Sequence, residues 1–460
     1  MEGEHKHLIW SHLREVQGGY AIQLSNTSRL QSVVVDVKLL DRDQKVMLWD
    51  PINGDCLQLQ QNEKGHYMLE FSPARTWLLT VGEPSEKAVA NCVYQMPSER
   101  RSILTLTNSW KQQRQHANAL PLDFASWSID GGYSWKTAEP VLAIHTRFTE
   151  EEPYNGLLKL RYSFEVGCLP KKCAVAVEQP WMYKEIKVNG NIISFDKNQT
   201  YIDHSIFQTD ITSLLKEGNN NIILTLDYKS AVKGDINAVK RYGSEIEAIY
   251  LVGDFGVEGR LAKEQPIETW RNQEKTLAPK LMPTRFQYNS FTLIEEKREV
   301  DGNLIRQGYP FYAGSIDLSQ VFYIDEVDKH AWKYVLSFKN LETILVEVTL
   351  NGKTLPAIFS TPWGCDITDA LVSGENKLTL TLTNSLRNLM GPHHHVGGEF
   401  TQVGSAVFKG NQGWPNLILG DKDWYDARIG GKAILWRDDY FCIPFGMLEA
   451  PIIEIEKRNK

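Results

Sequence analysis

The chain has 460 residues, 42% hydrophobic and 23% charged, an ordinary composition for a globular protein of two to four domains with real cores. A formal charge of −7, with no long basic stretch to offset it, argues against nucleic acid as the main partner. No run reaches the ~18 apolar residues of a spanning helix, so no membrane partner is expected.

The opening "MEGEHKHLIWSHLREV" lacks the apolar centre of a secretory signal, and a cytoplasmic location is the expectation. "NTS" at Asn26 and "NQT" at Asn198 fit the glycosylation sequon, which carries little weight without such a signal. From there the pattern is period two. "YAIQLSNTSRLQSVVVDVKLL" predicts two strands around a polar turn, and "LWDPINGDCLQL" a hairpin. Residues 1 to 95 are read as a small β-sandwich. The polar, charge-bearing stretch 96–114 is read as a linker. Alternation resumes in "LLKLRYSFEV", "CAVAVE", "EIKVNGNIISF" and "NIILTLDY", then in "YVLSF", "ILVEVTLNGKTL" and "NKLTLTLTN". "KTLAPKLMPTRFQ", with its two prolines, predicts a second connection. Long amphipathic helices are nearly absent, and the eight strand–helix alternations of an α/β barrel are not there. Six cysteines, most of them isolated, predict buried thiols and not a disulfide framework, although Cys168 and Cys173 could meet across a turn.

An internal repeat organises the rest. "IKVNGNIISF…QTDITSLLKEGNNNIILTL" around Ile186 to Leu226 is echoed by "VTLNGKTLPAIF…GCDITDALVSGENKLTLTL" around Val348 to Leu382. Each copy holds an Asn-Gly hairpin signal, which suits a type I′ turn. Each then has an Asp (Asp210, Asp366) placed to cap a short turn at Ile211 to Leu215 or Ile367 to Val372, and a Gly (Gly218, Gly374) placed to stop it. The spacing suits one β-sandwich per copy. The expected architecture is therefore all-β and multidomain: the small sandwich, a first jelly roll over 115–295 and a second over 296–460.

The pattern "NG…DIT..L..G.N.I.L.L" resembles the galactose-binding-like jelly roll, the sugar-binding domain of many glycoside hydrolases. "IWSHLREVQGGYAIQLSN", "MLWDPINGD", "NALPLDFASWSIDGG", "IYLVGDFGV", "GYPFYAG" and "NSLRNLMGPHHH" resemble the portion downstream of the catalytic barrel in large bacterial α-L-rhamnosidase-like glycoside hydrolases. The resemblance implies a carbohydrate-binding accessory region whose chain opens about where that barrel ends. A glycan would be its partner, with a catalytic barrel upstream or in trans. No catalytic residue carries over, because the segment that would hold the acid/base carboxylates has no counterpart.

Glycoside hydrolysis generally uses two carboxylates flanking the scissile bond. Asp130 and Asp254 sit beside glycines and are candidates, set against the routine habit of Asp to bond turn amides. The densest polar feature is "SLRNLMGPHHHVGGEF". His393, His394 and His395 admit three readings: loop imidazoles bonded to backbone carbonyls, donors to sugar hydroxyls, or, through His393, His395 and Glu399, metal ligands. Arg387 would pair with Glu399 in each case. The reading favoured is a polar loop wall, ahead of sugar contact, with no metal assigned. Aromatic faces stack on pyranose rings, which makes Trp414, Trp181 and Trp363 candidates for carbohydrate contact, while Trp49 and Trp77 look like core. A structural Ca²⁺ on Asp side chains and loop carbonyls suits jelly rolls, and no other cofactor is expected. The rival readings are a hydrolase or lyase with its own active site in an interdomain cleft, and a purely structural β-sandwich assembly.

Overall fold

The structure is a computed structural model. It describes residues 1–28, 31–39, 44–52, 54–86, 88–90, 92–94, 96, 100–230, 243–266, 284–391, 393–394 and 438–457. The protein is all-β and multidomain, built almost wholly of antiparallel sheets. The longest α-helix among the described residues is Val141–Thr146, continued by a π-turn over Arg147–Glu151. No described helix is long and apolar enough to cross a membrane.

The chain divides into two compact units. The first comprises Met1–Asn108, Ser319–Leu382 and Glu449–Lys460; the second comprises Ser109–Leu318 and Thr383–Leu448. In the first unit, strands Ile9–Val16, Gly19–Asn26, Thr76–Gly82, Val46–Trp49 and Cys56–Gln58 follow one another across a sheet, and Val33–Val37 pairs with Tyr67–Phe71. Alternation is the cause of their layering. Val33, Val35 and Val37 point one way, Leu69 and Phe71 join them, and together with Leu24, Leu48, Trp77 and Leu79 they make one buried cluster. Trp77 is core, as expected, and its indole N–H donates to the Glu70 carbonyl at 2.9 Å; Trp49 is only half-buried. The expected hairpin joins Val46–Trp49 to Cys56–Gln58.

Part of the stretch read as a linker is strand. Arg100–Thr105 pairs with Ile452–Lys457, which continues to Trp332–Ser337 and Gly364–Asp366. Its charges mislead because they line an edge: three residues in a row are exposed, and Arg100 meets Glu456 at 3.4 Å. Charged side chains on an edge strand also discourage pairing with another chain. Trp110–Arg114, in the second unit, pairs with Glu299–Val300. The connection expected around 275–287 lies mostly outside the described residues; Thr284–Ile294 is strand.

The repeat is the same knot tied twice, once in each unit. In the second unit the Asn-Gly turn has φ of 48° at Asn189 and 88° at Gly190. Asn189 Nδ2 donates to the Leu214 carbonyl and to Asn220 Oδ1, and its Oδ1 accepts the Asn221 N–H. In the first unit Asn351 and Gly352 have φ of 53° and 80°. There Asn351 Nδ2 donates to the Ala370 carbonyl and Asn376 Oδ1, and its Oδ1 accepts the Lys377 N–H. Asn220 and Asn376, each fully buried, donate to the carbonyls of Lys216 and Gly218 and of Val372 and Gly374 respectively. Gly218 and Gly374 take the positive φ expected of them. Asp210 and Asp366 each accept the N–H two residues on, from Thr212 and Thr368. Each thereby closes an Asx turn at the start of the short segment that follows.

Candidate functional site

The second unit holds two sheets that matter here. One runs Asn118–Leu122, Ile249–Gly253, Cys173–Glu178, Asp203–Asp210. The other includes Phe124–Ser128, Asn155–Val166 and Gly218–Lys229, joined through Thr284–Ile294 to Tyr440–Cys442. Asp123 is the single residue between the end of Asn118–Leu122 and the start of Phe124–Ser128. The chain changes sheets there, and its carbonyl is bonded by the Val141 N–H at 2.9 Å.

Two histidines come to this corner from far along the chain. The short helix Arg387–Met390 ends at Gly391, whose φ of 84° lets the backbone reverse, and His393 and His394 follow. Asn388, almost fully buried, ties the returning segment down: its Nδ2 donates to the Ile443 carbonyl and its Oδ1 accepts the Ile443 N–H. The Phe441 N–H bonds the His393 carbonyl at 2.7 Å. Tyr440, on that segment, donates its hydroxyl to Asp123 Oδ1.

The imidazoles are oriented at both ends. His394 Nε2 lies 2.9 Å from Asp123 Oδ2, and its Nδ1 lies 3.0 Å from the Asp439 carbonyl. Both ring nitrogens of His394 thus face acceptors, the Asp123 carboxylate on one side and the Asp439 carbonyl on the other. His393 Nε2 donates to the Asn388 carbonyl at 2.6 Å, and its Nδ1 faces Asp123 Oδ2 at 3.7 Å. Both histidines are more than nine-tenths buried. Phe311 stands edge-on to His393, and Phe124 edge-on to His394. Burial alone would push the Asp123 carboxyl up, but the His394 charge and the nearby His393 ring outweigh it and hold it well below the usual carboxylate range. Burial pushes His393 down against the pull of Asp123. Burial and then the Asp123 charge push the Tyr440 phenol well up.

A groove of about 420 Å³ opens on the outer side of this cluster. Half-buried rings of Phe124, Phe291 and Tyr440 line it, beside the exposed polar groups of Ser163, Glu165, Asn219, Asn289, Ser290 and Asp438.

Of the residues singled out by sequence, the structure brings His393 and His394 together, bonded to backbone carbonyls as one of the readings held. His395, Glu399 and Trp414 lie outside the described residues. Arg387 is half-buried on the helix before the histidines. Trp181 is half-exposed in the same unit, against Phe207 and under the Lys197 ammonium; it does not line the groove. Trp363 is half-buried in the first unit, where its carbonyl accepts the Phe338 N–H. Asp130 accepts bonds from the N–H groups of Gly132 and Ser134, which is turn chemistry, and Asp254 pairs with Arg114 at 3.2 Å. Asp123 and Tyr440 escaped sequence reasoning altogether. The one available signal was an acidic residue breaking the buried run "NALPL" from "FASWS".

No family model matches the sequence, and no curated protein does. Solved structures do show similarity. A rhamnosidase from Novosphingobium sp. PP1Y aligns with 99% of this chain at 11% identity and a TM-score of 0.39, over 24% of its own length. A β-D-mannosidase from Dictyoglomus thermophilum aligns with 58% of this chain at 13% identity and a TM-score of 0.23, over 31% of its length. A β-D-glucuronidase from the same organism aligns with 59% at 12% identity and a TM-score of 0.23, over 39%. The chain thus spans about a quarter of the first protein and about a third of the other two.

Proposed function

We propose that the protein binds glycans without turning them over, as the accessory portion of a rhamnosidase-like glycoside hydrolase that follows the catalytic barrel, and that its body is three sandwiches, the last two of them jelly rolls. The observation that carries this is the groove of the second unit. Sugar sites combine ring faces, which cover pyranose C–H groups, with amides and carboxylates that bond hydroxyls. The groove offers Phe124, Phe291 and Tyr440 for the first task and Asn219, Asn289, Glu165 and Asp438 for the second. His393 and His394 do not line it but pack their rings against its Tyr440 wall, so their part in recognition is to position, not to touch. The motif resemblance of the repeats points to the same chemistry.

A second reading rests on one feature. Glu165 and Asp438 are two carboxylates on one groove, the minimum equipment of a glycosidase. Glycan-array screening of the purified chain, together with hydrolysis assays on aryl rhamnosides and galactosides, separates the two. Array binding without release of the aryl group supports the accessory reading. Release that disappears in Glu165→Gln supports the enzyme instead.

A further inference from the structure

The Asp123 corner has the anatomy of a transition-metal site. Three donor atoms converge there, one each from Asp123, His393 and His394, all within 4.8 Å of one another. The two separations given above, 2.9 and 3.7 Å, bracket the roughly 3.4 Å between neighbouring ligands around a tetrahedral ion with bonds of about 2.0–2.1 Å.

The second observation is independent of the first and concerns the far side of each ligand. His393 commits its Nε2–H to the Asn388 carbonyl, and His394 commits its Nδ1–H to the Asp439 carbonyl. That leaves each ring's other nitrogen, the one with the lone pair in the neutral tautomer, turned toward the same carboxylate oxygen. Asp123's other oxygen is occupied by the Tyr440 hydroxyl. Metal-binding histidines anchor their remote N–H in this way, and ligating carboxylates are themselves hydrogen-bonded. His394 Nε2 lies 2.9 Å from Asp123 Oδ2, while His393 Nδ1 stays 3.7 Å from the same oxygen, past hydrogen-bond reach. A divalent ion between them serves all three atoms at once.

We infer that Asp123, His393 and His394 bind one divalent transition-metal ion of the Zn²⁺ class, through Oδ2, Nδ1 and Nε2, with Tyr440, Asn388 and Asp439 orienting the ligands from outside. Two imidazoles and one carboxylate suit Zn²⁺, and not Ca²⁺, which takes six to eight oxygens. Three protein ligands leave a fourth position for water or a ligand atom. The inference stands or falls separately from glycan binding.

The test is titration of the full chain, stripped by chelator, with Zn²⁺ by calorimetry and with Co²⁺ by visible absorption. One ion per chain and tetrahedral Co²⁺ bands are expected. His393→Gln should weaken binding by about 100-fold or more, and Tyr440→Phe, which keeps all three ligands and the buried ring, by about 10- to 100-fold. Should His393→Gln fail to fold, the stoichiometry of the unaltered chain and the Tyr440→Phe shift still decide. Binding well below one ion per chain, octahedral Co²⁺ spectra, or unchanged affinity in Tyr440→Phe would overturn the assignment.

Discussion

Replacing Asp123 by Ala removes the acceptor on which the second unit's corner converges. The carboxylate takes a hydrogen bond from His394 at 2.9 Å and another from the Tyr440 hydroxyl, and the side chains of His393 and His394 are 7% and 4% exposed. Breaking a buried ion pair by deleting one partner costs about 3–5 kcal/mol. Water entering the space left by the carboxylate bonds the His394 ring and draws the ion-pair loss toward the lower figure. The Tyr440 hydroxyl then lacks its partner, at about 1–3 kcal/mol. A net loss of about 4 kcal/mol follows, read on metal-stripped protein by equilibrium urea unfolding followed by circular dichroism. At a slope of about 3 kcal/mol/M that is a midpoint drop of more than 1 M. Paired with Tyr440→Phe in a double-mutant cycle, it should show coupling of at least about 1 kcal/mol. A loss under about 1 kcal/mol, or strict additivity, would mean that the corner is not a bonded unit.

Three further outcomes are expected. Asn220→Ala and Asn376→Ala each strip a fully buried amide of its bonds to two carbonyls; both should destabilise by about 2–4 kcal/mol in thermal unfolding, and a large difference between them would break the equivalence of the two knots. Cys173 and Cys365 have thiols pushed up to about 12, by burial first and then by the neighbouring Asp210 and Asp366. Both should resist iodoacetamide in the native protein at pH 8, while half-buried Cys168 reacts; equal labelling by mass spectrometry would contradict the burial. Asp123 is held below its ordinary 3.8 in the folded state, so its contribution is present above that pH and is lost as pH falls below it. Stability measured between pH 5 and 2 should fall in the unaltered chain and fall less steeply in Asp123→Asn.

What could be read in advance follows the range of the interactions. The two knots were legible because Asn-Gly turns, Asx turns and glycine stops are settled within a few residues, and the same letters recur. Period-two alternation likewise exposed the sheets. Arg100–Thr105 was misread because its partner strand lies near the other end of the chain, and charge on an edge strand looks like charge in a linker. The corner was half-legible. The histidines stood out as a run, but the residues that give them a role are 271 and 317 positions apart from their partners: Asp123 from His394, and Asp123 from Tyr440. Nothing local distinguishes an Asp that will meet two imidazoles from one that bonds a turn. Trp181 and Trp363 drew notice by type alone, and their places are set by packing that composition does not encode.

The central claim is that the groove beside Tyr440 is where a glycan sits. Calorimetric titration of the best array ligand into the unaltered chain and into Glu165→Ala/Asn289→Ala tests it most directly, since both side chains are exposed on the groove. The account predicts at least a tenfold loss of affinity with an unchanged melting temperature. Equal affinity in the two proteins would place the glycan elsewhere and contradict it.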